Sequence, residues 1–188
     1  MQRRELIKMI TVLTGGSVIG ADLFLTGCKN NTASDFFTKD DIAFFDEVAE
    51  TIIPKTNTPG AKEAATGSFM ALYATDCYDE PTRKVFKDGI AGLNSATEKM
   101  YHKRFMEINA AQQKDMLTAI DREAKLYDKQ SNGSKEQKPP HYFTLMKQLT
   151  LLGFFSSKSG ATQVLRYNPV PGKYEGCIDY KKGETSWY

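Results

Sequence analysis

The sequence predicts an all-α protein, a small bundle of about five helices with an irregular carboxyl-terminal arm, preceded by a cleavable signal. Apolar residues recur at three- and four-residue spacing in five separate segments, the period of a helix with one buried face. No run alternates at period two over several residues, as a half-buried strand requires. Of the 188 residues, 40% are apolar and 11% aromatic, enough for one core and too many for a disordered chain.

The first element is not part of that bundle. Residues 1–28 read MQRRELIKMITVLTGGSVIGADLFLTGC. A basic start (Arg3, Arg4, Lys8) leads into an apolar stretch from Met9 to Leu25 and a small-residue cleavage site, the three zones of an export signal. Gly15, Gly16, Ser17, Gly20 and Asp22 make the stretch too polar for a membrane-spanning helix. Gln2-Arg3-Arg4-Glu5-Leu6-Ile7-Lys8 resembles a twin-arginine signal, with Gln2 and Leu6 departing from the usual residues but the paired guanidinium groups and apolar pair kept. Leu25-Thr26-Gly27-Cys28 resembles a bacterial lipobox, which makes Cys28 the expected acylation site and the first mature residue. Two or more acyl chains, at about 0.8 kcal/mol per buried methylene, hold a protein stably on a membrane. Domain boundaries follow: signal 1–27, lipidated tether 28–37, helical domain 38–188.

Within the domain, Thr38 and Asp41 have capping-box spacing, and Ile42, Phe45, Val48, Ala49, Ile52 and Ile53 follow until Pro54 stops the run. After a Pro/Thr/Gly loop to Gly60, Phe69, Leu72, Tyr73 and Cys77 mark a second helix. Pro81 suits the first turn of a third, whose stripe is Phe86, Ile90, Leu93, Thr97 and Met100, weakened locally by Gly89 and Gly92. Asn109 and Gln112 again have cap spacing, and Met116, Leu117, Ile120, Ala124 and Tyr127 line a fourth helix to about Lys129. A solvated loop leads to a fifth, Tyr142 to Phe155, apolar on most sides and therefore central or covered by a partner. A short helical piece near Ala161 to Leu165 precedes the arm.

Twenty-five Lys and Arg against 23 Asp and Glu give a net charge of +2, which argues against a nucleic-acid binder. Two histidines, His102 and His141, are too few for most His-rich metal sites. Dinucleotide, P-loop, zinc-protease, haem-attachment and serine-elbow motifs are missing from the sequence, so neither a cofactor nor a catalytic group is expected in this chain. The acidic pairs Asp40-Asp41 and Asp46-Glu47, and Asp121 with Glu123, fall on polar helix faces.

Three cysteines leave a pair once Cys28 is acylated. Cys77 and Cys177 in an exported chain suggest a disulfide, which in the chain-entropy picture adds about 4–5 kcal/mol and pins the arm to the second helix. Two free thiols, or one activated by a histidine, are the alternatives. His141, following Pro139-Pro140, stands at a helix start where an anion or partner carboxylate can approach, or else caps a packed corner. Phe154, Phe155, Tyr167, Tyr174, Tyr180, Trp187 and Tyr188 crowd a segment that forms no amphipathic helix, so it is pinned to its own domain, docked on another protein, or both.

Pro139-Pro140-His141-Tyr142-Phe143, the run Leu149 to Ser157, and Arg166-Tyr167 leading through Pro169-Val170-Pro171-Gly172-Lys173-Tyr174 to Gly183 and Trp187 resemble the gluconate 2-dehydrogenase subunit 3 family. Ile52-Ile53-Pro54 and Pro59-Gly60-Ala61 extend the likeness over nearly all of the mature chain. The resemblance implies a non-catalytic small subunit of a membrane-associated sugar or polyol dehydrogenase. FAD would sit in a large partner subunit of the glucose-methanol-choline type, and haem c in a third, cytochrome subunit. The small chain would carry its signal-less partner through the twin-arginine route and hold it, lipid-anchored, on the periplasmic side. Candidate partner-binding residues are His141, Tyr142, Phe154, Phe155, Tyr167, Pro171, Gly172, Tyr174 and Trp187. A free-standing envelope lipoprotein binding a ligand or protein is the alternative.

Overall fold

A computed structural model describes residues 36–131, 138–170 and 172–187. The signal with Arg3 and Arg4, the lipid attachment at Cys28, and Pro171 lie outside the described residues. Five helices carry the domain: α1 Lys39–Ile52, α2 Thr66–Cys77, α3 Glu80–Tyr101, α4 Ala110–Ser131 and α5 Tyr142–Ser156. A 3-10 turn, Phe105–Glu107, precedes α4, and a π-helical turn, Gly160–Val164, follows α5. Among the described residues the only β pairing is an isolated bridge between Arg166 and Trp187, so the architecture is the all-α bundle the periodicity predicts.

Local chemistry sets the helix ends. The Thr38 hydroxyl accepts the Asp41 N–H at 3.1 Å while the Asp41 carboxylate accepts the Thr38 N–H at 2.9 Å, a reciprocal capping box. Asn109 and Gln112 repeat it at the start of α4, at 3.2 and 2.9 Å. Asp79 caps α3 through the Thr82 N–H, with Pro81 in the first turn where its missing donor is harmless. His102 ends α3 in the left-handed region, φ 57°, its N–H bonded to the Glu98 carbonyl.

Other ends are held from a distance. Asp46 on α1 accepts the Gly67 N–H at 2.7 Å and so caps α2, whose own leading residue, Ala65, has φ 52° and supplies no side-chain bond. Burial raises the Asp46 pKa, and the Gly67 N–H works in the opposite direction. Glu50 grips the loop between α1 and α2, its two carboxylate oxygens accepting the Lys55 and Lys62 N–H groups at 2.8 and 2.9 Å. A Cβ on Gly60 would lie 2.4 Å from that carboxylate, so the loop needs glycine there. The buried Gln113 amide donates to Glu47 and to the Phe105 carbonyl, both at 3.1 Å, joining α4, α1 and the 3-10 turn.

α5 is the central element and packs on all four other helices. Two glycines set its distances to α3 and α2. A Cβ at Gly89 of α3 would lie 2.7 Å from Tyr142, and one at Gly153 of α5 would lie 2.5 Å from the Phe69 ring of α2. The weakness that Gly89 brings to α3 is thus what lets Tyr142 seat. On the opposite side a phenylalanine cluster joins α1 to α3, Phe45 stacking 4.8 Å from Phe86. Phe37 fits between them at 5.4 and 5.9 Å and is 0% exposed. The sequence places Phe36 and Phe37 in the tether, but they belong to the domain: burying such a ring contributes about 2–3 kcal/mol, and Lys87 donates to the Phe36 carbonyl at 2.6 Å. Leu72 and Met100, assigned to buried stripes, are exposed. α2 instead buries Gly67, Met70, Ala71 and Ala74, a small-residue face that permits close approach to its neighbours.

Replacing Gly89 by Ala should lower stability by about 1–3 kcal/mol in chemical denaturation despite the better helix propensity, because Tyr142 cannot retreat. Gly92→Ala, whose Cβ would meet the same ring at an ordinary 3.5 Å, should instead raise it by up to about 1 kcal/mol.

Candidate functional site

The sequence places its candidate residues at the two ends of α5 and in the arm, and the structure divides them into internal and external groups. His141 is the N-cap of α5, its Nδ1 accepting the Phe143 N–H at 3.2 Å. Asp128 of α4 completes the corner, with one carboxylate oxygen accepting the His141 N–H at 3.0 Å and the other the Thr144 hydroxyl at 2.6 Å. The imidazole lies 4.3 Å from the Tyr142 ring and 5.6 Å edge-on from Tyr127. His141 therefore takes the packed-corner role. With His102 closing α3, both histidines serve helix ends.

Burial is the main cause of the lowered His141 pKa; Glu123 and Asp128 push the other way. The neutral ring is the one that caps, since a protonated Nδ1 has no lone pair for the Phe143 N–H. Tyr142, half-buried, has its phenol pushed up to about 12 by desolvation first and Glu123 second.

Besides His141, two residues assigned to the partner are used inside the domain. Phe154 is 1% exposed and packs edge-on to Phe155 at 5.2 Å, and the Tyr142 ring fills the notch at Gly89. Phe154, enclosed by its own fold, has no surface left for a second protein. Gly160 fixes the chain just past α5, because a Cβ there would stand 2.0 Å from the Phe154 carbonyl oxygen.

The external group is larger than the aromatic pattern suggests. Tyr167, Gly172, Tyr174 and Trp187 are exposed, as are Val170, Ile178 and Tyr180 beside them. Leu151 and Leu152 stand exposed on the last turns of α5, and Leu72 on α2, which packs on α5 through the Gly153 notch. A signal for these leucines was present: a helix apolar on most sides carries more apolar residues than its neighbours cover. Arg166, which the sequence reading names in the family-like run but not among the candidate site residues, ties the arm back. Its N–H donates to the Ser186 carbonyl at 2.8 Å, and its guanidinium lies 4.7 Å from the Trp187 ring centre and 3.6 Å from Glu184.

The expected bond between Cys77 and Cys177 is not formed; both thiols are free and exposed. The arm is fastened at Arg166 rather than to the end of α2. Among the described residues no group of three or more His, Cys, Asp and Glu side chains gathers as a metal site, and no helix is long and apolar enough to cross a membrane. The arrangement offers apolar surface beside a rigid core.

Protonation of His141 should weaken the fold. Its folded pKa lies below the ordinary 6.5, so its contribution is fully present above that value and is lost as pH falls through 6.5 toward the folded pKa. His141→Ala should cost about 1 kcal/mol at neutral pH and flatten that part of the pH–stability curve, read by thermal unfolding in matched buffers.

No curated protein and no solved structure matches the chain. The sequence model described as gluconate 2-dehydrogenase subunit 3 matches residues 39–172, from the first residue of α1 through the π-helical turn into the arm. That span takes in all five helices and both corners of α5, and the chain belongs to the gluconate 2-dehydrogenase subunit 3 family.

Proposed function

We propose that this chain is a non-catalytic accessory subunit of a sugar or polyol dehydrogenase, assisting the export, maturation and membrane anchoring of a larger FAD-bearing subunit. Family membership over residues 39–172 carries the reading, since the family is named for a subunit. Support comes from the external surface, where Leu72, Leu151, Leu152 and the arm expose apolar groups next to a core held by five helices. Electron transfer from the flavin to a haem c subunit belongs to the same proposal.

The route follows from the amino terminus. Arg3 and Arg4 would direct the folded pair through twin-arginine export, and acylation at Cys28 would keep it on the periplasmic side. The exposed residues of the arm would then hold the partner by burying aromatic area at small entropic cost.

Changing Arg3 and Arg4 together to Lys should leave the flavin subunit in the cytoplasm, followed by fractionation and flavin fluorescence. A flavin subunit that still reaches the periplasm would show that this chain does not carry it. Cys28→Ser should release the exported pair into the soluble periplasmic fraction.

A further inference from the structure

The described residues 167–170 and 172–187 leave the domain and are tied back to it at Arg166. Arg166 pairs with the far end through the Ser186 carbonyl, stacks on Trp187 and reaches Glu184. Turns inside the loop are specific: Gly172 at φ 66°, Gly183 at φ 92°, and a Glu184 N–H to Lys181 carbonyl bond of 3.2 Å. A hollow of about 140 Å³ lies under the clasp, lined by Arg166, Ile178, Asp179, Tyr180, Glu184 and Trp187. The segment is thus a closed loop with a defined neck.

Compact surface loops of this kind usually pack their own side chains. This one does not. Tyr174 is 93% exposed, Tyr180 79% and Val170 78%, and Ile178 is more than half exposed. Aromatic and branched groups turned outward on a closed loop have the composition of an interface centre. Charge narrows what they face. Lys173, Lys181 and Lys182 are balanced by Glu175, Asp179 and Glu184, and Lys173 already pairs with Glu175 at 3.0 Å. A balanced loop draws little from anionic lipid or nucleic acid, both of which are held through excess Lys and Arg.

We propose that residues 167–187 are a preformed docking loop, closed by Arg166 against Trp187 and Glu184, which presents Tyr174, Ile178 and Tyr180 to an uncharged apolar groove on the flavin subunit. The identity of the partner rests on the function proposed above; the loop and its clasp are independent of it. Closing the neck before contact removes part of the ordering entropy that an open tail would lose on docking. Arg166 is a positioning residue, acting through the shape of the loop. Glu184, Ser186 and Trp187, which complete the clasp, lie past residue 172, where the family match ends.

The test uses the full chain, tagged and produced in its own host with the flavin subunit, and reads flavin absorbance per recovered chain. The triple variant Tyr174→Ser, Ile178→Ser, Tyr180→Ser should lose flavin about tenfold or more, with helical circular dichroism and melting temperature unchanged. Trp187 is the chain's single tryptophan, so its emission reports the clasp. Arg166→Gln should shift that emission and lower flavin recovery less than the triple variant does, a combination that a merely structural arginine would not give. Recovery by the triple variant equal to wild type overturns the loop while leaving the accessory-subunit reading intact. If that variant keeps the flavin subunit but loses binding to phosphatidylethanolamine/phosphatidylglycerol vesicles, the loop faces the membrane and the proposal is wrong. Wild-type chain recovered without flavin overturns both the reading and the loop's partner.

Discussion

A helix apolar around most of its circumference must be covered by its neighbours, and α5 is that helix, with Leu151 and Leu152 left exposed on its last turns. Its buried residues, Phe143, Leu145, Met146, Leu149, Thr150, Gly153 and Phe154, point around most of its circumference, so α1 to α4 are arranged about it. Enclosure at this density requires backbone to approach side chain, and the approaches occur where a Cβ is missing, at Gly89 and Gly153. The positions of α2 and α3 are consequences of those two notches. The buried Thr150 hydroxyl donates to the Met146 carbonyl at 2.8 Å and also meets Met70 Sδ of α2 at 3.7 Å.

Enclosing one helix leaves the ends of the others to be satisfied, and here side chains cross between elements. Asp46 serves the start of α2, Glu50 two amides of the following loop, and Asp128 the backbone and hydroxyl donors where α5 begins. Asp121 links α4 to α5 through Lys147, with Lys125 on its other oxygen, both at 2.6 Å, and these bonds lower its pKa. Each acid lies beside an element it does not belong to and joins the two.

Local features were legible in the sequence and long-range ones were not. The Thr38/Asp41 and Asn109/Gln112 boxes were readable because both partners lie within one turn, and the all-round apolarity of α5 correctly implied a central place. Gly89 looked like a defect in α3 because its purpose, a ring from α5, is distant in sequence. Phe154 looked available because its neighbours in the chain are aromatic, although α5 turns it inward. On the arm, the exposed tyrosines and tryptophan were legible from composition. The Arg166 clasp was not, since nothing local pairs that residue with Glu184 and Trp187.

Phe37 gives the amino-terminal connection a mechanical character. The ring sits between Phe45 of α1 and Phe86 of α3, and Lys87 holds the preceding carbonyl. The chain therefore enters the domain as a bolt through two helices, not as a flap peeling from one end. A pull on the chain before Phe36 would meet the phenylalanine cluster, which spans α1 and α3, before it reached the first turn of α1.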